Sequence, residues 1–414
     1  MKKSLVKVDI AIVGAGLVGG ALAASLKNCG LSIALIDYQT EENLQKNVSG
    51  RISVNDFDPR VSALTMASQS LLTELGVWQK IKPSQIQAYQ KMKVWDELGT
   101  ACIEFDSAEL YQDSLGCILE NQNIISALHS VMSDQVNLKT FLGNQLKSIE
   151  LIEAEIEADQ HLLTLEHGQL IQCKLLVAAD GANSKVRQWA SMPTREWDYQ
   201  HEAIVATIKT SKKHQKTAWQ RFSESGPLAF LPLADANDTQ QFCSIVWSQE
   251  TARAKSLMAL SESDFLKELA ESIEFSLGEL EAVSARYSIP LRQRHAKTYV
   301  KPGIVLLGDA AHTIHPLAGQ GVNLGFKDVK ALSDILIEAD KQNVEVNNMV
   351  LLKRYQRQRR GDNLLMMAAM ESFKRLFEQP DPFLRWLRNT GMGWVNKQSF
   401  LKNQIAKHAM GLSL

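Results

Sequence analysis

The stretch "VDIAIVGAGLVGGALAASLKNCGLSIALID", residues 8–37, decides the fold. Its first six residues are apolar apart from Asp9, the pattern of a strand buried on both faces. "GAGLVGG" follows, then a run of small residues with a helix expected to end at Gly30, then "SIALID" as a second strand. Gly14, Gly16 and Gly19 form G-x-G-x-x-G at the strand-to-helix turn. In that order they serve the tight turn, the close approach of a pyrophosphate, and the packing of helix on strand. Asp37 closes the second strand, placed to accept hydrogen bonds from a ribose. A lone glycine motif is weak evidence, but strand, helix and terminal acid together predict a dinucleotide site. The competing reading, a tight turn with no ligand, leaves Asp37 unexplained.

A second glycine cluster lies in the last third of the chain. "HPLAGQGVNLGFKD", residues 315–328, carries Gly319, Gly321 and Gly325 and runs into "VKALSDILIEA", which has helical spacing. Glycines at a helix start let a ligand come close to the backbone, and anions favour such places because free N–H groups and the helix dipole point at them. One chain with two such loops needs a reason.

Between the loops the pattern alternates. "DPRVSALTMASQSLLTELGVW" (58–78) places Arg60 ahead of a helix with apolar positions Ala63, Leu64, Leu71, Leu72 and Leu75, so on spacing alone Arg60 is a solvated residue at a helix start. "KMKVWDELGTACIEFD" (91–106) reads as a hairpin around Gly99. "GCILENQNIISALHSVM" (116–132) starts extended and turns helical at about Asn121. "HLLTLEHGQLIQCKLLVAADGANSKVR" (161–187) is a hairpin that turns at His167-Gly168 and ends in Asp180-Gly181, a dipeptide common at turns in any case. Short β-branched and aromatic strands then follow, "HEAIVATIKT", "TAWQRF", "LAFLPL" and "QFCSIVWS", with the look of an antiparallel sheet with one covered face. "SESDFLKELAESI" is an amphipathic helix whose Ser261 and Asp264 resemble a capping box. "GIVLLGDAAH" (303–312) returns to a buried strand ending in Gly308-Asp309. A β-rich domain is therefore predicted inside a nucleotide-binding one.

The totals exclude several classes. A net charge of −1 over 414 residues offers no field for nucleic acid. Five scattered cysteines have neither metal nor disulfide spacing and read as reduced thiols of a cytoplasmic protein. The apolar run after the first lysines carries Lys7 and Asp9 and is not a secretory signal, and no run is long enough to span a membrane. His312 and His315 make H-x-x-H, but no third ligand is placed nearby, so no metal is expected.

Four motifs now stand in order: "GAGLVG", Arg60 in "DPRVSAL", "ADGANSKVR" (179–187), and "GDAAHTIHPLAGQGVNLGFKD" (308–328). Together they resemble the group A flavoprotein aromatic hydroxylases of the para-hydroxybenzoate hydroxylase fold. More narrowly, the chain is similar to the ubiquinone-biosynthesis hydroxylases, the UbiH/UbiF/UbiI group, and is closest to the UbiI-like members in "WDYQHEAIVATI" and "CSIVWS". "GPLAFLPL", "RRGDNLLMMAAMESFKRLF" and "AKHAMGL" also look like that group. The implied fold is α/β: a Rossmann-like FAD-binding domain with an inserted antiparallel β-sheet substrate domain and C-terminal helices. The expected division gives the FAD-binding domain residues 1–80, 111–190 and 299–345, a substrate-domain hairpin 81–110, the substrate sheet 191–298, and a helical region 346–414.

The resemblance explains the two loops as holders of the two ends of one FAD. It implies that Gly14, Gly16 and Gly19 hold the pyrophosphate and that Asp37 binds the ribose, where many relatives carry Glu. Arg60 and Asn121 match positions along the cofactor's middle and flavin side, and Asp309 matches the acid near the ribityl chain. Gly319, Gln320, Gly321, Val322 and Asn323 would cradle the flavin ring with backbone N–H groups, where the reduced ring is anionic. Asp180 and Gly181 lie in a motif used for both FAD and NAD(P)H, which would dock transiently because no second Rossmann fingerprint exists. His315 and Pro316 are candidates for the ring pocket, with no catalytic base assigned. Asp328, further into the helix, reads as a capping or packing residue, so Asp309 is expected to matter more for FAD.

The implied reaction is O2-dependent hydroxylation of a polyprenyl phenol or quinol in ubiquinone synthesis, at C5 by the UbiI-like resemblance, with C6 and C1 as alternatives. A prenyl reductase and a non-catalytic subunit of a biosynthetic complex, in contact with other proteins of that pathway, are the rival readings. From Gln356 onward ten basic residues face four acidic ones, interleaved with Phe383, Trp386, Leu387, Trp394 and Phe400. Such a tail either lies on anionic lipid, making the protein peripheral at the inner membrane face, or packs on the FAD domain.

Overall fold

In a computed structural model of the chain, the described residues are 5–45, 50–97, 102–152, 160–313 and 321–378, with 398, 402–404, 407 and 410 beyond. An eight-stranded sheet is organised around the first strand, Leu5–Val13. It runs parallel to Leu170–Ala178 on one side and to Ile33–Ile36 on the other. The parallel set extends outward to Ile304–Leu306 and to Leu138–Phe141. Ile33–Ile36 and Ile304–Leu306 are buried throughout, and Leu5–Val13 and Leu170–Ala178 are buried over their carboxyl halves, as parallel strands covered on both faces must be. Covering helices include Leu17–Ser25, Asn121–Met132 and Gly321–Lys341.

A nine-stranded sheet forms the second layer system. Its centre is the long strand Thr194–Thr210, antiparallel to Phe242–Glu250 and to Tyr287–Ala296. The hairpin Lys91–Asp96 and Cys102–Asp106 joins this sheet by pairing parallel with Thr217–Phe222. One face packs Ile204, Phe230 and Ile245 under Phe265 and Leu269 of the helix Glu262–Ser272. The expectation of a single covered face needs correction. On the other side Ala218, Leu231 and Phe242 cluster with Val54, Phe57, Ala63 and Ile118, which come from the segment before and within a small three-stranded sheet.

That small sheet also corrects the reading of residues 58–78. Val61–Leu64 is a strand paired with Gly116–Glu120, and the helix begins only at Met66, capped by the Thr65 hydroxyl. Arg60 therefore precedes a strand. The first glycine helix ends at Ser25 rather than Gly30, and the chain leaves it through tighter turns such as Lys27 N–H to Ala24 O. At Ser261 half a capping box forms: its hydroxyl accepts from the Asp264 N–H, while the Asp264 carboxylate accepts from the hydroxyl and not from the Ser261 backbone. The strand before Asp309 stops at Leu306, and Gly308–Ala310 is one short 3-10 turn.

Candidate functional site

Four parallel strands end at one edge of the large sheet, and the residues just past their carboxyl ends are Gly14, Asp37, Ala179-Asp180 and Leu307-Gly308-Asp309. The first strand sits between neighbours that follow it and that come much later, so a crevice opens where the connections diverge. A cavity of about 430 Å³ lies there. Gly16, Asp37, Arg60 and Asn121 line it on one side. Gly181, Asp309, Gly321 and Val322 line it from the other motifs. Gly16 of the first glycine loop and Gly321 at the start of the second glycine helix line one space.

The glycines divide by what a side chain would meet. At Gly14, with φ +107°, a Cβ would lie 2.3 Å from the Ala179 carbonyl oxygen, and at Gly19 it would lie 1.8 Å from the Gly14 carbonyl oxygen. Those two let the strand and helix close on each other. At Gly16, Gly181 and Gly321 a Cβ would meet nothing within 4 Å. Their surroundings are open, and the open side is the cavity. The helices Leu17–Ser25 and Gly321–Lys341 both begin there, so their first N–H groups point into a space suited to a long anionic ligand. The residues present fit FAD on these grounds.

The acids differ in state. Asp37 accepts from the Ala15 N–H at 2.6 Å and the Gln39 N–H at 2.8 Å, so it first fixes the glycine loop and offers only its remaining lone pairs to the cavity. Asp180 Oδ2 accepts from Lys185 and Val186 N–H, while its Oδ1 is buried without a partner. Burial pushes the Asp180 carboxyl up from its ordinary value, against the Ser184 and backbone hydrogen bonds that hold it down. An orphaned buried oxygen beside the crevice is the mark of a site awaiting a donor. Asp309 is open to the crevice, but the walls around it push its carboxyl up as well; His312 opposes this and Asp328 adds to it.

Asn121 Oδ1 accepts from the Ser62 hydroxyl at 2.6 Å, and Asn121 N–H donates to the Arg60 carbonyl. Asn323 is turned away from the cavity: its Oδ1 takes the Thr65 N–H and Ser68 hydroxyl, and its amide donates to Ala63 O. It pins the start of the second glycine helix to the strand and helix that follow Arg60. Gly319, Gln320, His315 and Pro316 lie outside the described residues.

Several supports were not foreseen from the sequence. Burial pulls the buried His129 imidazole below its ordinary value, and because a carbonyl only accepts, Nε2–H donates to Ala15 O at 3.1 Å and holds the first loop from the helix behind. Glu120 forms a buried ion pair with Arg51 and takes the Asp58 N–H at 2.7 Å, shaping the segment before Arg60. No motif signals either residue, because each works through contacts distant in sequence.

Asp328 is neither a cap nor ordinary packing. It is fully buried in the second turn of its helix, where Oδ2 meets His312 Nε2 at 2.5 Å and the Gly308 N–H at 3.2 Å. Oδ1 meets Arg359 Nε at 2.7 Å, and Asn363 joins Asp328 to the Tyr299 hydroxyl. This network ties the Gly308–Asp309 turn to the C-terminal helix Met349–Glu378. His312 is thus committed to a carboxylate, and Arg359 is buried rather than part of a basic surface.

A family model described as an FAD binding domain matches residues 7–365. The chain is 36% identical over 404 residues to the 3-demethoxyubiquinol 3-hydroxylase of Escherichia coli strain K12, covering 98% of each. It is 33% identical over 443 residues to the human ubiquinone biosynthesis monooxygenase COQ6, covering 97% of this chain and 92% of that one. Among solved structures it resembles PqsL, a probable FAD-dependent monooxygenase from Pseudomonas aeruginosa, with TM-score 0.74, 19% identity, and coverage of 93% and 99%. It likewise resembles p-nitrophenol 4-monooxygenase PnpA from Pseudomonas putida DLL-E4, with TM-score 0.75, 18% identity, and 98% coverage of both. The structural likenesses establish the flavin monooxygenase fold, and the chain-long sequence similarities go further: this protein belongs to the family of FAD-dependent ubiquinone-biosynthesis hydroxylases.

Proposed function

We propose that one FAD spans the cavity from the first glycine loop to the second, and that the protein hydroxylates a demethoxyubiquinol-type ring with NAD(P)H and O2. The carrying observation is the opening of both glycine-started helices into one crevice. Gly16 leaves room for the pyrophosphate, Asp37 lies along the adenosine half, Arg60 and Asn121 lie along the middle and flavin side, and Asp309 lies beside the ribityl chain. Bound there, the reduced flavin supplies the oxygen activation. Backbone N–H groups at Gly321 and Val322 favour negative charge on the ring end. Gly181 lines the crevice and Asp180 stands beside it, placed for FAD or for transient NAD(P)H.

The ring position rests on two unequal supports. The E. coli relative, named for 3-hydroxylation of demethoxyubiquinol, matches the chain end to end. The second reading, hydroxylation at C5, is favoured by "WDYQHEAIVATI" and "CSIVWS" on the central strands of the nine-stranded sheet. Mass spectrometry of the quinone intermediate in a deletion strain decides. Accumulated demethoxyubiquinol supports the first reading, a prenylphenol lacking the C5 oxygen supports the second, and normal ubiquinone without a redundant hydroxylase refutes both.

Asp309→Ala should weaken FAD by roughly ten- to a hundredfold, the loss of one or two polar contacts worth about 1.5–3 kcal/mol together. Flavin titration at constant pH checks this, with thermal unfolding of the flavin-free variant close to wild type because the side chain faces the crevice. Unchanged flavin affinity would remove Asp309 from the site.

A further inference from the structure

Arg51 holds a left-handed backbone, φ +45°, that side chains rarely adopt, and it is buried. Its guanidinium pairs with buried Glu120, donates to the Ser84 carbonyl at 3.2 Å, and lies 5.9 Å from the centre of the Phe57 ring. Phe57 in turn packs on Phe242 of the nine-stranded sheet. A buried ion pair is poor evidence for stability, because the desolvation of both charges offsets their attraction. A strained residue that delivers such a pair has its reason elsewhere.

That reason lies in what Glu120 holds. It stands at the N-cap of the helix Asn121–Met132, yet its side chain caps no N–H of that helix. Oε2 takes Arg51 and the Asn123 amide, the latter at 2.9 Å, and Oε1 takes the Asp58 N–H at 2.7 Å. The Asp58 carboxylate accepts from the Arg60 N–H at 2.8 Å, and the Arg60 carbonyl accepts from the Asn121 N–H at 2.9 Å. The Arg60 backbone is thus fastened on both sides, and both fastenings run back to Glu120, through its carboxylate or its peptide neighbour. The exposed Arg60 side chain lines the crevice and has no hydrogen bond or ion pair among the described residues. Its backbone therefore decides where the guanidinium stands.

We propose that Glu120, held by Arg51, is a positioning residue for Arg60: it fixes the segment 58–60 so that the guanidinium meets the anionic middle of a bound FAD. This rests on the cofactor placement above. A long cationic side chain loses freedom when it meets a phosphate, and a backbone fixed beforehand reduces what binding must order. Burial pushes the Glu120 carboxyl up, and the Arg51 charge is the first force against it, so the ion pair keeps a carboxylate available to the Asp58 N–H.

The test is a double-mutant cycle on the FAD dissociation constant of the full-length protein. Arg60→Ala should weaken FAD about tenfold, the loss of one charge-assisted contact. Replacing the pair together, Arg51→Met with Glu120→Leu, should weaken FAD by a similar factor and leave the thermal midpoint of the flavin-free protein near wild type. Asp58→Ala breaks the same link at a half-buried side chain, and it decides the matter if the buried double variant does not fold. Either change made in an Arg60→Ala chain should cost no further affinity, because nothing is left to position. Arg51→Met with Glu120→Gln keeps an oxygen for the Asp58 N–H and should recover most of the loss. Losses that multiply in the Arg60→Ala background, or wild-type affinity in Asp58→Ala, would overturn the positioning role. FAD affinity unchanged by Arg60→Ala alone would instead refute the placement of Arg60 along the cofactor, and the proposal would fall with that reading.

Discussion

Gly16→Val should give a folded, colourless protein. A Cβ at Gly16 meets nothing within 4 Å, and its φ of −74° suits any residue, so the fold tolerates the change. The branched side chain instead fills the crevice in front of the first N–H groups of the helix Leu17–Ser25. Charge-assisted bonds from such groups are worth roughly 1.5–3 kcal/mol each, and losing two lowers FAD affinity by about a hundredfold or more. Gly19→Ala makes the contrasting case. Its Cβ would stand 1.8 Å from the Gly14 carbonyl oxygen, so helix and strand must separate and the soluble yield should collapse. Absorbance of bound flavin and circular dichroism, measured on both variants, separate the two outcomes. A yellow Gly16→Val protein with full flavin occupancy would move the pyrophosphate elsewhere.

The second large effect is at Asp328. Asp328→Ala takes the buried carboxylate away from the Arg359 Nε, leaving the buried guanidinium only the exposed Asp362 and the Asn363 amide oxygen as partners, which costs up to about 3–5 kcal/mol. Urea and thermal midpoints of the flavin-free protein should fall accordingly, and replacing Arg359 with Met in the same chain should recover part of the loss. Burial resists ionisation of Asp328, but His312 and Arg359 more than offset it and hold the carboxyl below its ordinary value of 3.8. A depressed carboxyl contributes stability that is present above the unfolded-state value and is lost as pH falls through the folded one. The wild type should therefore lose stability more steeply than Asp328→Asn on acidification below about pH 4. Parallel pH curves for the two proteins would remove Asp328 from the balance.

Such a network was beyond sequence reading for a physical reason. His312, Asp328 and Arg359 belong to different elements, and nothing local in "FKDVKA" distinguishes a buried acid from a solvated one. The glycine loops were legible because turn geometry is local: an open approach at Gly16 and a closed one at Gly19 follow from spacing alone. Hairpins were legible through alternation and turn residues. Val61–Leu64 was misread because a four-residue apolar strand fits a helical template equally well, and its pairing with Gly116–Glu120 decided the matter. Asp37 was placed at the right edge of the sheet, yet its two hydrogen bonds to the backbone were invisible without coordinates. The basic tail was read by charge count. Burial of Arg359 and Lys402 shows that two of those charges are spent inside the protein.

The sheet's strand order has a consequence for how the protein comes off the ribosome. Leu5–Val13 is made first, but its partner Leu170–Ala178 and the next strand, Ile304–Leu306, come much later, and the buried network waits for Arg359 and Asn363. No nascent chain shorter than about the whole flavin domain can finish its crevice, so cofactor loading must follow synthesis. Until then an apolar, all-parallel strand set has unpaired edges, the condition that slows folding and invites aggregation. Overexpression that outruns the flavin supply should therefore fill inclusion bodies, and slower synthesis with added riboflavin should return the protein to solution.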